Sequence, residues 1–159
     1  MMDITPETVL TVANLQQLAG REFAPGDWIL VDQARIDAFA ECTGDHQFIH
    51  VDPQRAGETP FHGTIAHGFL LLSLVAGHRQ RDFPPVRDVA LVLNYGLDRV
   101  RFTSPVRAGA RVRYRSRVLG AEPRGEGRTL LRQEAVLEVE GQEKPAVVAE
   151  LLAMYVARS

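Results

Sequence analysis

Asp45 and His50 stand five residues apart in Gly44-Asp45-His46-Gln47-Phe48-Ile49-His50-Val51-Asp52, directly after a helical pattern. A carboxyl group and an imidazole delivered together are the start of proton-transfer chemistry, and histidine, with an ordinary pKa near ~6.5, is suited to it at working pH. A free aspartate titrates near ~4, so Asp45 would donate a proton well only from a dry site. Two coupled groups titrate as a pair, and spacing does not say which of them holds the proton. On spacing alone a blander account does as well: Asp45 merely closes the preceding helix and His50 fills a gap in the core.

The elements that must position these groups are written nearby. Asp32 is an N-cap residue, Ile36, Phe39 and Ala40 recur at helical spacing, and Gly44 is a C-cap, which puts Asp45 at a helix exit. Between Asp45 and His50 neither helical nor strand period is present, so an irregular loop is expected, running into a turn at Asp52-Pro53. Phe61-His62-Gly63-Thr64-Ile65-Ala66-His67-Gly68 then leads into Phe69 to Gly77, apolar on nearly every side. A helix apolar all round is expected to be buried, and this one falls short of the ~20 residues a bilayer requires. Its first N–H groups, near Gly68, together with the helix dipole favour an oxygen that gains negative charge.

Phe39, Thr43-Gly44-Asp45, Ile49-His50 and Asp52, followed by Ala66-His67-Gly68, resemble the hydratase motif of the MaoC-like, (R)-specific enoyl-CoA hydratases, in their nodulation-protein-N-like branch. Asn94-Tyr95-Gly96, Val100-Arg101-Phe102, Pro105-Val106 and Gly109 are similar to that family's strand signatures, so the likeness covers most of the chain. Where the commoner family pattern has Asn-Pro this chain has Gln47-Phe48, the Gln-plus-aromatic form of the branch. The family's helix serine falls in register on Ala76, with Ser73 one turn earlier, and Ser73 is given no catalytic role. The resemblance implies an α+β hot dog fold, an antiparallel sheet wrapped around a long central helix, and addition of water to a trans-2-enoyl-CoA or the reverse dehydration. It implies Asp45 and His50 holding one water, one removing a proton and the other supplying one to C2, with the Gly68 N–H on the thioester oxygen. Gln47, Phe48, His67, Asn94, Tyr95 and Gly96 are the substrate-binding residues it implies. It implies no metal or redox cofactor, and a homodimer with the acyl-CoA pocket near the subunit boundary. Hot dog thioesterases, which hydrolyse the thioester and generally lack the Asp-to-His motif, and a non-catalytic acyl-CoA-binding protein are the alternatives.

The other histidines have ordinary readings. His46 is expected as an exposed loop residue, and His78 in a basic helix end, His78-Arg79-Gln80-Arg81. His50, His62 and His67 lack a His-x-x-x-His pair, and Cys42 falls in the first helix, so no metal is expected.

Composition fits this picture. The chain has 159 residues, 45% hydrophobic and 24% charged, with one cysteine and a net charge of −2. One domain over residues 1–159 is expected, with no electrostatic footprint for nucleic acid, no membrane segment or targeting peptide, and a cytoplasmic setting. Thr5-Pro6 reads as a helix start whose stripe Val9, Val12 and Leu15 ends at Gly20, and Trp28 to Val31 as a short strand. Further strands are expected at Val89 to Tyr95, Leu97 to Thr103, Ala110 to Leu119, Thr129 to Val139 and Val147 to Tyr155. Arg111, Arg113, Arg115 and Arg117 share one strand face, and Arg132, Glu134 and Glu138 share a face of the next. Pairing the two would set Arg against Glu on a wet surface; an arginine gripping CoA phosphates is the sharper and less favoured reading.

Overall fold

In the computed structural model, described for residues 9–77, 80 and 82–158, five strands form one sheet in the order β1-β3-β4-β5-β2. They are β1 (Ile29–Val31), β2 (Val89–Phe102), β3 (Ala110–Pro123), β4 (Arg128–Val139) and β5 (Val147–Ala157), and every pairing is antiparallel. The helices are α1 (Gln33–Thr43), α2 (Phe48–Val51), α3 (Pro53–Gly57) and α4 (Gly68–Gly77), preceded by a 3-10 segment at Val12–Leu18. The curled sheet with α4 packed on it is the hot dog fold. No described helix is long and apolar enough to cross a membrane. The Thr5-Pro6 helix start and the basic helix end lie outside the described residues, apart from Gln80.

Local rules set the boundaries. Asp32 caps α1 by accepting from the Arg35 N–H at 2.9 Å, and Gly44 ends the helix with φ of 77°, a left-handed conformation that glycine adopts without a Cβ penalty. Alternation in β3 turns Val112, Tyr114, Ser116 and Val118 into the core, while the odd-numbered arginines stay on the wet face. There Arg113 reaches Glu138 at 2.6 Å, Arg115 shares that carboxylate at 3.1 Å, Arg117 lies 3.7 Å from Glu134, and Arg111 pairs with Glu140.

Four expectations are corrected. The segment after Asp45 is not wholly loop, because Phe48–Val51 closes one helical turn that carries His50. The two strands expected on either side of Gly96 are one strand, β2, which absorbs the glycine in a register shift between Asn94 and Gly96. The early helix is a 3-10 segment burying Val12, Leu15 and Leu18. The central helix is ten residues long and buried on one side: Leu70, Leu71, Leu74 and Val75 enter the core, whereas Phe69, Ser73 and Ala76 are exposed.

Candidate active site

Three peptide hydrogen bonds set the site residues in place. The segment Thr64 to Ala66 crosses between α2 and the loop before β3: the Ile65 N–H donates to the Ile49 carbonyl at 3.0 Å, Ala66 to Val106 at 2.8 Å, and Ala108 back to Thr64 at 2.9 Å. This strap delivers His67 and Gly68 to the start of α4. Gln33 fastens α2 from the other side, donating to the His50 carbonyl at 2.8 Å while accepting from the Thr64 hydroxyl at 2.5 Å. No sequence signal distinguishes Gln33 from any polar residue in a first helical turn.

His50 is buried, and its Nδ1 lies 2.7 Å from the Ile65 carbonyl oxygen. A carbonyl only accepts, so Nδ1 carries the hydrogen and the neutral ring keeps its lone pair on Nε2. Burial holds the His50 imidazole below its ordinary 6.5; the bond to Ile65 opposes this, His67 adds to it, and Asp45 opposes it. The same logic places a hydrogen on His67 Nε2, which lies 2.9 Å from the Asp45 carbonyl oxygen. That bond ties the backbone of Asp45 to the residue before Gly68. The two imidazoles stack with centroids 3.8 Å apart, and Phe39 flanks His67 at 5.0 Å. His67 Nδ1 is buried with no hydrogen-bond partner.

Ligand-type atoms of Asp45, His50 and His67 lie within 4.8 Å of one another. The spacing argument weighed His62 in such a cluster; the structure leaves His62 exposed and brings in Asp45 instead. Stacked rings hold their in-plane lone pairs side by side, whereas ligands to one ion must aim at one point. For a water the separation is right: two groups each at hydrogen-bond distance from one oxygen stand up to roughly 5.5 Å apart. The span of the group therefore suits a water held between the Asp45 carboxylate and a histidine nitrogen.

Gly68 opens α4, so its N–H is among those the helix leaves unpaired. A Cβ added there would stand 3.0 Å from the Phe102 ring, tighter than most such contacts, so the ring would have to give by a few tenths of an ångström. A cavity of about 600 Å³ lies along α4, bounded by Phe69, Leu72, Ser73 and Ala76 on the helix and by Asn94, Gly96 and Leu151 on the sheet; Asp45, His50, His67 and Gly68 are not among its lining residues.

Asp45, His50 and His67 thus come together beside Gly68, and Asn94 and Gly96 line the cavity. Tyr95, 63% exposed, is not among the cavity residues. Gln47 is the residue before α2, and Phe48 lies under the Arg55 guanidinium at 4.3 Å, so both belong to the α2 side and not to the cavity. Asp52 caps α3 by accepting from the Arg55 N–H at 3.0 Å, a structural role. Ser73 donates to the Phe69 carbonyl at 2.8 Å, within its own helix.

The fold is the hot dog, and it sets a carboxylate and an imidazole beside a glycine-initiated helix. The MaoC-like domain family matches residues 14–139, and the chain belongs to that MaoC-like dehydratase family. The 3-hydroxyacyl-thioester dehydratase Z of Mycobacterium tuberculosis (strain ATCC 25618 / H37Rv) is 45% identical over 150 residues, 94% of this chain and 99% of its own. Nodulation protein N of Rhizobium leguminosarum bv. viciae is 47% identical over 141 residues, 88% of each chain. Among solved structures, the (R)-hydratase from A. caviae involved in PHA biosynthesis superposes with a TM-score of 0.65 at 27% identity, over 85% of this chain and 94% of that one.

Proposed function

We propose that the enzyme is an (R)-specific hydratase/dehydratase of 3-hydroxyacyl thioesters, with coenzyme A as the acyl carrier. The observation that carries this reading is the gathering of Asp45, His50 and His67, whose ligand-type atoms lie within 4.8 Å of one another, with His50 Nδ1 engaged by the Ile65 carbonyl so that Nε2 keeps the lone pair. The dehydratase and hydratase named above, and family membership, support it.

In the hydration direction Asp45 and His50 hold the water and His50 Nε2 takes its proton. The hydroxyl adds at C3, and charge moves to the thioester oxygen, where the Gly68 N–H and the helix dipole meet it without reorganising. The resulting imidazolium, stabilised by the Asp45 carboxylate, is the donor that protonates C2 and restores the neutral ring. The acyl chain lies in the cavity along α4.

The working unit we infer is a dimer formed through β2. β2 is an edge strand of fourteen residues, paired on one side only, and exposes Leu91, Val92, Leu93, Tyr95, Leu97 and Phe102. A long apolar edge of this kind calls for a partner strand.

The test follows loss of enoyl-thioester absorbance on adding protein to crotonyl-CoA and longer trans-2-enoyl-CoAs, with chiral analysis of the product. The same acyl groups on acyl carrier protein run in parallel. Production of (R)-3-hydroxyacyl-CoA is expected. A clear preference for the carrier-protein thioester would overturn the carrier, and release of free CoA without hydration would overturn the reaction.

A further inference from the structure

His50 is held at two points, and the two holders are bonded to each other. Its Nδ1–H donates to the Ile65 carbonyl at 2.7 Å, and its own carbonyl accepts from Gln33 Nε2 at 2.8 Å. Gln33 in turn meets the residue before Ile65, because the Thr64 hydroxyl donates to Gln33 Oε1 at 2.5 Å. A closed loop results. It runs from the His50 peptide through the Gln33 amide, the Thr64 side chain and the Thr64–Ile65 peptide back to the His50 ring.

The polarity of this loop leaves no freedom. Gln33 Nε2 also donates to Asp37 Oδ1 at 2.7 Å, one helical turn further along α1. Both partners of that nitrogen, a carboxylate and a carbonyl, only accept, so the amide cannot turn over and Oε1 must face Thr64. The Thr64 hydroxyl, on a residue only 5% exposed, then has to donate. The Thr64 peptide is itself pinned, accepting from the Ala108 N–H at 2.9 Å. The His50 carbonyl lies at the end of α2, where a helix leaves its carbonyls without partners of their own. Gln33 serves this one, and Thr64 turns a buried hydroxyl on Gln33 where valine would fill nearly the same volume. A fully satisfied buried network rigidifies its members and specifies one arrangement. Neither Gln33 nor Thr64 lines the cavity along α4.

We propose that Gln33 and Thr64 are positioning residues for the reaction: together they fix the direction in which the His50 ring presents Nε2. The inference rests on the reading of His50 as the base. Without the Thr64 hydroxyl the Gln33 amide is free to turn, and the carbonyls of His50 and Ile65 are no longer locked to one another. The ring then tilts, and the tautomer with its hydrogen on Nε2, which has no lone pair there, becomes accessible. Because neither residue reaches the cavity, the loss falls on kcat and leaves KM nearly unchanged.

Long-range proton–nitrogen correlation spectra of the histidine rings read the tautomer without substrate, with His50 assigned by its absence from His50→Ala. Wild-type His50 at neutral pH or above is expected to show one form, with hydrogen on Nδ1. A ring carrying it on Nε2, or exchanging between forms, would overturn the proposal, and this measurement needs no variant to fold. Thr64→Val and Gln33→Leu are expected to mix the tautomers and to lower kcat for enoyl-CoA hydration about 10- to 100-fold. Thr64→Ser returns the hydroxyl and is expected to recover the single tautomer and most of the turnover. Wild-type kcat in Thr64→Val and Gln33→Leu, slow turnover with an unchanged tautomer, or a Thr64→Ser as slow as Thr64→Val would each overturn the positioning role. A tautomer that depends on Gln33 and Thr64 in a protein that hydrates no enoyl thioester would overturn the function and leave the hold on the ring standing.

Discussion

β2 and β3 are each fourteen residues long, yet the sheet uses them in opposite ways. β3 has a neighbour on both sides, sends Val112, Tyr114 and Val118 inward, and answers its outward arginines with glutamates of β4. β2 has one neighbour, exposes apolar side chains, and borders the cavity and the start of α4. Strict alternation marks a strand finished by solvent. An apolar strand left open marks one that another surface or a ligand must finish. Chemistry should therefore depend on the β2 and α4 side, and the charged lattice over β3 and β4 should be dispensable.

The largest effect is expected where that side meets the proposed proton-transfer pair. His50→Ala and Asp45→Asn should each lower kcat/KM for enoyl-CoA hydration by about 10²–10⁴ with unchanged circular dichroism. If the pair acts as a unit, the double variant will be hardly slower than the singles; full activity in either single variant would break the comparison at its centre.

Leu93, 52% exposed, and Tyr95 test the unfinished strand. Leu93→Asp with Tyr95→Asp should convert the proposed dimer to a monomer by light scattering, since like charges across a new strand pair repel. An unchanged mass would remove β2 from the interface.

A smaller effect is set by pH. In the proposed mechanism His50 must be neutral to act as the base, and burial keeps its pKa below 6.5, so the acid limb of kcat/KM should lie below that value. Stability follows the same sign. The unfolded chain takes up this proton at 6.5 while the folded one resists, so this contribution is intact above 6.5 and is lost as pH falls towards the depressed value. Acid titration of activity and of the thermal midpoint checks both, and a limb above 6.5 would contradict the buried neutral ring.

The smallest change is expected on the other face. Glu138→Gln breaks contacts to Arg113 and Arg115, yet half-exposed ion pairs contribute only about 0–1 kcal/mol. Activity should stay at the wild-type level, and a marked loss would erase the contrast between the strands.

How much of this was legible in the sequence follows the range of the interactions. The Asp32 cap, the left-handed Gly44 and the Arg-to-Glu face are set by neighbours or by period two, and residue order shows them directly. α2 is a single turn, too short to display a period, so the placement of His50 on it was hidden. Gly96 looks like a strand end because the shift that absorbs it depends on the pairing with β5. The family motif gathers Asp45, His50 and Gly68, but the stack of His50 on His67 and the grip of Gln33 join residues 17 apart and appear only in three dimensions. Gln80 sits in a basic stretch that reads as a helix end, and its burial comes from packing against β3.

Phe102 closes β2, and its ring lies against the spot where Gly68 has only hydrogen. The last residue of the open strand and the first residue of the helix thus share one volume, and growth of either presses on the other. Gly68→Ala and Phe102→Leu should accordingly be inherited as a pair, each tolerated best beside the other. The same shared volume makes β2 a lever: whatever seats that strand also sets the height of the peptide that would receive the substrate's charge.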